Sequence, residues 1–386
     1  MVDVNKVHQL DCRDGLRDLA NDCCDCCVTD PPYGIRFMGN AWDYDIPDTS
    51  VWKEVLRVLK PGAHMLVACG TRTQHRMAVN IEDAGFAIRD VICWHYGEGF
   101  PKSMNVALAI DKEQDMVGAR GTINSDRENE GWSANYRPIT EEAKRWDGWG
   151  TALKPATEFW TLARKPLAER TIASNILRFG TGGLHIDSCR IHASDAQGGE
   201  YFVKRFKTGA ELNMTKGKWK PDGRNVEIYS GQMKPGRFPA NLILDEYMAV
   251  ELDGKSGQLA SGMPSGTRKA ANKIYGQYSP GQRITGYGDT GGAARFFYVA
   301  KASAMERGQD NNHPTVKPLA LMHYLIRLVC PIESGRIVLE PFAGSGTTCL
   351  AARQLGLNFY AFEALMENVM IAEKRLRDEL GLFYGV

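Results

Sequence analysis

Four consecutive residues, Asp30-Pro31-Pro32-Tyr33, constrain this chain more than any other stretch of its sequence. They follow a short apolar strand candidate, Cys26 to Thr29, and lead into a glycine. Two adjacent prolines fix φ and remove two backbone donors, so the carbonyls of Asp30 and Pro31 point outward as acceptors without a competing amide. A carboxylate, a carbonyl and an aromatic ring then share one rigid corner, which is the set of groups that grips a planar heteroaromatic amine. A strand that simply ends in a Pro-Pro turn, with Tyr33 packed on the surface, explains the motif equally well.

The size and hydropathy of the chain predict an ordinary folded protein. Its 386 residues, 43% of them hydrophobic, can bury a substantial core and are expected to form two lobes. The longest apolar runs, such as Met65 to Cys69, are far too short to cross a bilayer, and the first residues lack the apolar stretch of a signal peptide. We therefore expect a cytoplasmic protein without a membrane partner.

Ten cysteines raise the question of a metal site, because Cys23, Cys24, Cys26 and Cys27 stand within five positions. Structural zinc sites usually combine two separated pairs of ligands, whereas the other six cysteines of this sequence are scattered singly. The spacing therefore predicts free thiols in a reducing compartment and no metal site.

The net charge of +1 hides a basic stretch in the middle of the chain. Residues 201–240 contain nine Lys or Arg and three acids, with Phe206, Trp219 and Tyr229 interleaved. Such a stretch is either a solvated loop or a nucleic-acid surface, and aromatic residues among cations favour the second. The candidate DNA contacts are Lys204, Arg205, Lys216, Lys218, Lys220, Arg268, Lys269 and Arg283.

Strand and helix patterns alternate in both outer parts of the chain, which predicts an α/β fold with a parallel, doubly wound sheet. Strands are expected at Lys6 to Leu10, His64 to Cys69 and Ala87 to His95, with a helix capped by Ser50 before the second of them. Residues 111–150 are polar and weakly periodic, as in a lid-like connection. Residues 187–306 are rich in glycine and basic residues and are interpreted as a separate domain, after which the alternation returns in 307–386.

A second motif, Glu340 to Thr347, lies between a predicted strand and a predicted helix. Its glycines let the backbone pass close to a ligand at the carboxyl edge of a sheet. It is not a Walker A loop, because Thr347 stands where that motif requires Lys. Glu363 ends the next strand, predicted at Asn358 to Glu363. A carboxylate at this position commonly accepts hydrogen bonds from ribose hydroxyls, although it is also consistent with a simple acid at a strand end. His313 to Pro318 precedes a helix and either starts it or holds a carboxylate.

Taken together, these motifs resemble the amino-methyltransferases that use S-adenosylmethionine, in the permuted order in which the Asp-Pro-Pro-Tyr half comes first. Phe37 to Asp43 looks like phage-type and orphan members. The resemblance implies a Rossmann-like seven-stranded methyltransferase sheet, circularly permuted, with the Lys6 strand beyond the C-terminal strands. Residues 1–186 would be the catalytic half, 187–306 an inserted target recognition domain and 307–386 the cofactor-binding half. The implied catalytic residues are Asp30, Pro31, Pro32 and Tyr33, and the implied cofactor residues are Asp11, Cys12, Asp30, Thr315, Lys317, Glu340, Phe342, Gly344, Ser345, Gly346 and Glu363.

The same resemblance implies an enzyme that methylates the 6-amino group of an adenine flipped out of double-stranded DNA. Relatives that act on the 4-amino group of cytosine more often carry Ser where Asp30 stands, and cytosine is the first alternative. A glutamine or RNA methyltransferase usually reads Asn-Pro-Pro-Tyr. A non-catalytic DNA-binding regulator is expected to have lost one of these motifs. Glu340 stands where many relatives have Asp to contact the methionyl amine. A homodimer is also expected, because the family includes many dimers.

Overall fold

The computed structural model describes residues 2–35, 43–97, 99, 103–116, 136–192, 199–206, 226–260, 290–301 and 316–383; for 199–206, 226–233 and 379–383 it describes the backbone alone. The described strands are β1 (Val7–Gln9), β2 (Cys24–Thr29), β3 (Leu59–Gly70), β4 (Ala87–His95), β5 (Thr157–Arg164), β6 (Gly199–Phe206), β7 (Val226–Met233), β8 (Leu242–Asp245), β9 (Leu259–Ala260), β10 (Thr290–Gly291), β11 (Tyr298–Ala300), β12 (Ile337–Glu340) and β13 (Asn358–Glu363). The described α-helices are α1 (Cys12–Arg17), α2 (Thr49–Val58), α3 (Gln74–Asp83), α4 (Val106–Glu113), α5 (Glu141–Arg145), α6 (Ile172–Phe179), α7 (Glu246–Ser256), α8 (Leu319–Val329), α9 (Thr347–Gln354) and α10 (Met366–Phe383).

One large sheet organises the described residues, in the order β1-β13-β12-β2-β3-β5-β4-β8-β11. As predicted, β1 pairs in parallel with β13 and so lies beyond the C-terminal strands. The prediction of seven strands is wrong for this sheet, which has nine in the described residues, because β8 and β11 extend it past β4. The sheet is also not fully parallel: β5 runs antiparallel to both β3 and β4.

Two hydrophobic clusters cover the two faces of this sheet, as expected for a doubly wound fold. One contains buried side chains of α8, α9 and α10, for example Leu321, Cys349 and Ala372. The other contains side chains of α1, α2 and α3, including Leu16 and Trp52. Cys26, Cys27 and Val28 of β2 alternate between these clusters, because side chains of a strand point to opposite faces. The chain therefore has the Rossmann-like α/β fold that its sequence predicts.

Several predicted element boundaries are confirmed and two need correction. The bounds of β4 and β13 match the prediction. The helix predicted to start at Ser50 is capped by Asp48 instead, whose Oδ1 accepts a hydrogen bond from the backbone N–H of Ser50 at 2.8 Å. The strand predicted at His64 to Cys69 begins earlier, at Leu59, because Leu59 already pairs with Cys24 of β2.

The segment 187–306 contributes strands to the main sheet. β8 pairs in parallel with β4, and β11 pairs in parallel with β8. β6 and β7 form an antiparallel hairpin of their own, as β9 and β10 do. Residues 242–245 and 298–300 therefore belong to the main sheet, whereas the predicted division into three parts and the circular permutation stay predictions.

Short helices occupy the described parts of 111–150, the segment interpreted as lid-like. α4 packs against α5, and the buried Asp111 joins them by accepting hydrogen bonds from Tyr136, Ile139 and Thr140. None of the helices in the described ranges is long and apolar enough to cross a membrane.

Candidate active site

A cavity of about 1100 Å³ opens at the carboxyl edge of the sheet, where the ends of β1, β2, β12 and β13 meet. Parallel strands of an open α/β sheet place their following loops at this edge, which is where such folds bind ligands. The Asp30 to Tyr33 corner lines one part of the wall, and Phe342 to Ser345 line another. Both sequence motifs therefore face one cavity.

The corner itself is fixed by three residues from outside the motif. The buried carboxylate of Asp43 accepts hydrogen bonds from the backbone N–H groups of Tyr33, at 2.7 Å, and Gly34, at 2.9 Å. The hydroxyl of Thr73 donates to the carbonyl oxygen of Tyr33 at 2.6 Å. The Tyr33 ring packs on Gly70, where an added Cβ would lie 3.2 Å from Cδ2 of the ring. The turn is thus held on three sides, which suits a group that must be positioned accurately.

An ion cluster lies beside this corner. The Tyr33 hydroxyl donates to Oδ1 of Asp30 at 2.7 Å, while Oδ2 of Asp30 lies 2.6 Å from the Lys317 ammonium. Oε2 of Glu158, from β5, lies 3.2 Å from the same ammonium. The Lys317 side chain is only 8% exposed, so it forms a buried cation held between two carboxylates.

The pKa values of the cluster follow from this arrangement. Burial disfavours the charged form of Lys317, but the carboxylates of Asp30 and Glu158 outweigh that effect and raise its pKa. Burial raises the pKa of Glu158, Lys317 opposes this, and the charge of Asp30 adds to it. The pKa of Tyr33 is raised well above its ordinary value by burial and by the neighbouring carboxylates. Tyr33 is therefore a neutral hydrogen-bond donor at neutral pH.

The other end of the cavity has the chemistry of a nucleoside site. Asp11 caps α1 and Glu363 ends β13, so two carboxylates stand at the ends of adjacent strands. Glu363 accepts hydrogen bonds from the N–H groups of Gly344, at 2.8 Å, and Leu365, at 2.9 Å, which fixes it against the glycine loop. A carboxylate offers about four acceptor positions, so capacity remains for a ribose hydroxyl. These acceptors and the apolar wall at Phe342 fit the adenosine part of S-adenosylmethionine.

Glu340 is buried behind the glycine loop, with 1% of its surface exposed. Its carboxylate accepts hydrogen bonds from the hydroxyls of Thr29 and Thr348, the latter at 2.6 Å, and from the N–H of Phe342 at 3.0 Å. Burial raises the pKa of Glu340 to about 8, although these hydrogen bonds oppose it. Glu340 lines the cavity and also joins β2, β12 and α9 at their ends.

Lys317 lies on the wall, but the carboxylates that its ammonium contacts are those of Asp30 and Glu158 in the chain itself, and its role toward the cofactor stays a prediction. Gly346 is not on the lining; it precedes α9 with φ of 79° and packs against Ala372 of α10. The residues found on the wall are Asp11, Cys12, Asp30, Pro31, Pro32, Tyr33, Lys317, Glu340, Phe342, Gly344, Ser345 and Glu363.

The remaining predictions fall outside the described part of the chain. This holds for Thr315 and for Lys216, Lys218, Lys220, Arg268, Lys269 and Arg283. Lys204 and Arg205 lie on β6, for which only the backbone is described.

Sequence reasoning missed Glu158, Thr73 and the role of Asp43. Glu158 lies on β5, and its approach to Lys317 depends on where β5 is inserted and on its direction in the sheet. Asp43 ends the stretch that resembles phage-type members, but no local pattern connects it to Tyr33, ten residues before it.

An α/β sheet with a nucleoside-type site and an Asp-Pro-Pro-Tyr corner on one cavity defines the class of methyltransferases that act on amino groups. A family model for N6 and N4 methyltransferases, described as DNA methylase, matches residues 24–374. This chain therefore belongs to the DNA methylase family. S-adenosylmethionine, the predicted cofactor, is the methyl donor of this family.

Comparison with individual proteins gives shorter or weaker matches. The chain is 42% identical over 67 residues to Type II methyltransferase M2.DpnII of Streptococcus pneumoniae, which is 17% of this chain and 24% of that protein. It is 50% identical over 64 residues to Type II methyltransferase M.HindIII of Haemophilus influenzae, again 17% of this chain and 20% of that protein. The crystal structure of an M1.HpyAVI–SAM complex aligns over 96% of this chain and 98% of that one, at 18% identity and a TM-score of 0.40. The chain thus spans about a quarter or less of the length of these curated relatives.

Proposed function

We propose that this chain transfers a methyl group from S-adenosylmethionine to the 6-amino group of an adenine flipped out of double-stranded DNA. The observation that carries the proposal is the shared cavity, into which both the Asp30 to Tyr33 corner and the Phe342 to Ser345 loop open. A volume of about 1100 Å³ exceeds that of most small-ligand sites and suits a cofactor together with a base. Family membership supports methylation of an amino group on DNA.

The residues of the corner would bind and orient the base. The target must leave the duplex, because its amino group is otherwise paired and lies in the plane of the stack. Asp30 already accepts hydrogen bonds from Tyr33 and Lys317 and keeps acceptor capacity for an amino hydrogen. The Pro31 carbonyl would accept the second hydrogen. This pair of acceptors draws the nitrogen toward a pyramidal geometry and directs its lone pair at the methyl group that the bound cofactor supplies.

Adenine is proposed over cytosine because the first residue of the corner is Asp and not Ser. The two acceptors alone serve either base, since both present an exocyclic NH2 in similar geometry. Family membership is compatible with both, because the family covers N6 and N4 methylation.

The basic residues of the middle segment are proposed to hold the DNA. The eight candidate contacts lie between Lys204 and Arg283, a stretch with a surplus of positive charge and interleaved aromatic residues. A homodimer is proposed on the family resemblance, and a cytoplasmic location on the shortness of the apolar runs in the sequence.

Incubation of the protein with mixed-sequence DNA and labelled cofactor, followed by digestion to nucleosides and mass spectrometry, tests this function. We expect label in 6-methyladenine. Label in 4-methylcytosine would establish the alternative base, and unlabelled nucleosides from folded, cofactor-binding protein would favour a non-catalytic DNA-binding regulator.

Asp30→Ala should lower the rate of transfer by at least about 100-fold, because the lost hydrogen bonds are made to the reacting amine. Cofactor binding, measured by calorimetry, should persist. Asp83→Ala, on an exposed turn of α3, removes the same group away from the cavity and should leave the rate unchanged. Transfer by Asp30→Ala at near the parent rate would contradict the assignment of the corner.

A further inference from the structure

Glu158 is a carboxylate that neither sequence motif contains, yet it faces the reacting end of the cavity. It lies near the start of β5, opposite Gly70 of β3 and Trp94 of β4. Because β5 is antiparallel, its first residues reach the same sheet edge as the last residues of its parallel neighbours. Its side chain is 17% exposed, and burying a carboxylate to this degree costs free energy unless a partner compensates.

The compensating partner is Lys317, which Glu158 shares with Asp30. The ammonium lies 2.6 Å from Oδ2 of Asp30 and 3.2 Å from Oε2 of Glu158. Two carboxylates and one ammonium give the cluster a formal charge of −1. If Lys317 had Asp30 as its only anionic partner, the pair would be neutral, and the ammonium would withdraw negative charge from the carboxylate that must accept an amino hydrogen.

That residual charge lies where the reaction creates positive charge. In methyl transfer the nitrogen–carbon bond forms while the carbon–sulfur bond breaks, and the bonding electron pair goes to sulfur. The positive charge moves from sulfur to the amine nitrogen, which then loses a proton to solvent or to Asp30. A fixed negative charge beside the nitrogen stabilises this transition state more than the ground state, which is the requirement for a rate effect.

We propose that Glu158 is a positioning residue of the methyl-transfer site, which holds the Lys317 ammonium between two carboxylates and so keeps a net negative charge beside the amine. The inference rests on the proposed function. Glu158 acts through Lys317 and Asp30 and does not need to touch the base. The other titratable groups that face the cluster are Tyr33, Cys69 and Tyr96, from the ends of β2, β3 and β4, and Glu340, from the end of β12.

The test compares the parent with Glu158→Gln, Glu158→Asp and a matched control, Glu82→Gln, on the exposed face of α3. Single-turnover rates are measured between pH 5 and 9 with the cofactor bound before DNA is added. We expect Glu158→Gln to lower the rate by about 10- to 100-fold, as loss of one electrostatic contact to a transition state does. Cofactor affinity and melting temperature should stay close to those of the parent. Glu158→Asp, which keeps the charge, should recover part of the rate.

The pH profile separates this role from a merely structural one. Because burial raises the pKa of Glu158, the parent rate should rise with pH as this carboxyl ionises, and Glu158→Gln should lose that part of the acid limb. A Glu158→Gln rate within twofold of the parent at every pH would overturn the inference, as would a loss that is the same at every pH and follows a loss of folded protein. A parent that transfers no methyl group to DNA would instead overturn the proposed function, and this inference with it.

Discussion

Among the single residues of the cavity, Glu340 shows how burial changes the behaviour of a familiar motif. It stands where many relatives have Asp, and its longer side chain reaches Thr29 and Thr348 on two neighbouring elements. The resemblance implies that this carboxylate contacts the methionyl amine of the cofactor. In the structure it is first a buried group that joins β2 to α9, with a pKa raised to about 8.

This raised pKa predicts a specific dependence of stability on pH. The folded-state pKa of about 8 lies above the ordinary value of 4.5, so between these values the unfolded chain has released a proton that the folded chain retains. The contribution of Glu340 to the free energy of unfolding is therefore fully present below pH 4.5 and is lost as pH rises toward 8, by at most about 1.4 kcal/mol per pH unit. Glu340→Gln should remove this loss.

Urea denaturation of the parent and of Glu340→Gln at pH 5, 6.5 and 8 measures the effect. The variant should gain stability relative to the parent as the pH increases. If the difference in free energy of unfolding between the parent and the variant is the same at all three pH values, Glu340 is ionised in the folded protein throughout this range.

At the scale of elements, the glycine loop before α9 has two different tasks. Gly344 lies on the cavity wall and donates to Glu363, whereas Gly346 packs on α10. The sequence placed both in one cofactor motif. Periodicity predicts the helix and its start, but the contact with α10 depends on tertiary packing and is not contained in the local pattern.

Gly346→Ala should therefore lower the free energy of unfolding through two separable effects. A Cβ at this position would lie 2.7 Å from Cβ of Ala372, and the φ of 79° is a left-handed conformation that disfavours any side chain. Gly335 has a similar φ of 85° but nothing within 4 Å of the added Cβ, so Gly335→Ala reports the backbone effect alone. We expect the free energy of unfolding to fall by about 1 kcal/mol in Gly335→Ala and by about 2–4 kcal/mol in Gly346→Ala. Equal losses in urea denaturation would show that α10 moves aside freely.

Elements were predictable from the sequence where one local pattern determined them. The bounds of β4 and β13 followed from apolar runs between turn residues, and the Asp30 to Tyr33 corner followed from its prolines. The insertion of β5 between β3 and β4 was not predictable in this way, because strand order depends on contacts between residues far apart in sequence. Glu158 was missed for the same reason.

At the scale of the whole molecule, the sheet collects residues from both ends of the chain around one cavity, from Leu10 to Asn368. The middle segment adds β8 and β11 to this sheet, so part of it is anchored on the catalytic body. If residues close to β8 and β11 bind DNA, this pairing would hold them at a fixed distance from the cavity. The contacts proposed for Lys216, Lys218 and Lys220, and the homodimer, stay predictions.

The contribution of the basic segment can be measured through the salt dependence of DNA binding. Each phosphate contact should contribute about 0.9 to the slope of log K against log salt concentration, since binding releases counterions. Changing Lys216, Lys218 and Lys220 together to Gln should weaken binding and flatten the slope by up to about 2.7 if all three contact phosphates. Neutralising three charges elsewhere, at the exposed Lys6, Arg17 and Lys53, gives the same change in net charge and should leave the slope close to that of the parent. Cofactor affinity should be the same in both variants. An unaltered slope in the first variant would assign residues 216–220 to a solvated loop and move the DNA contact to another part of the chain.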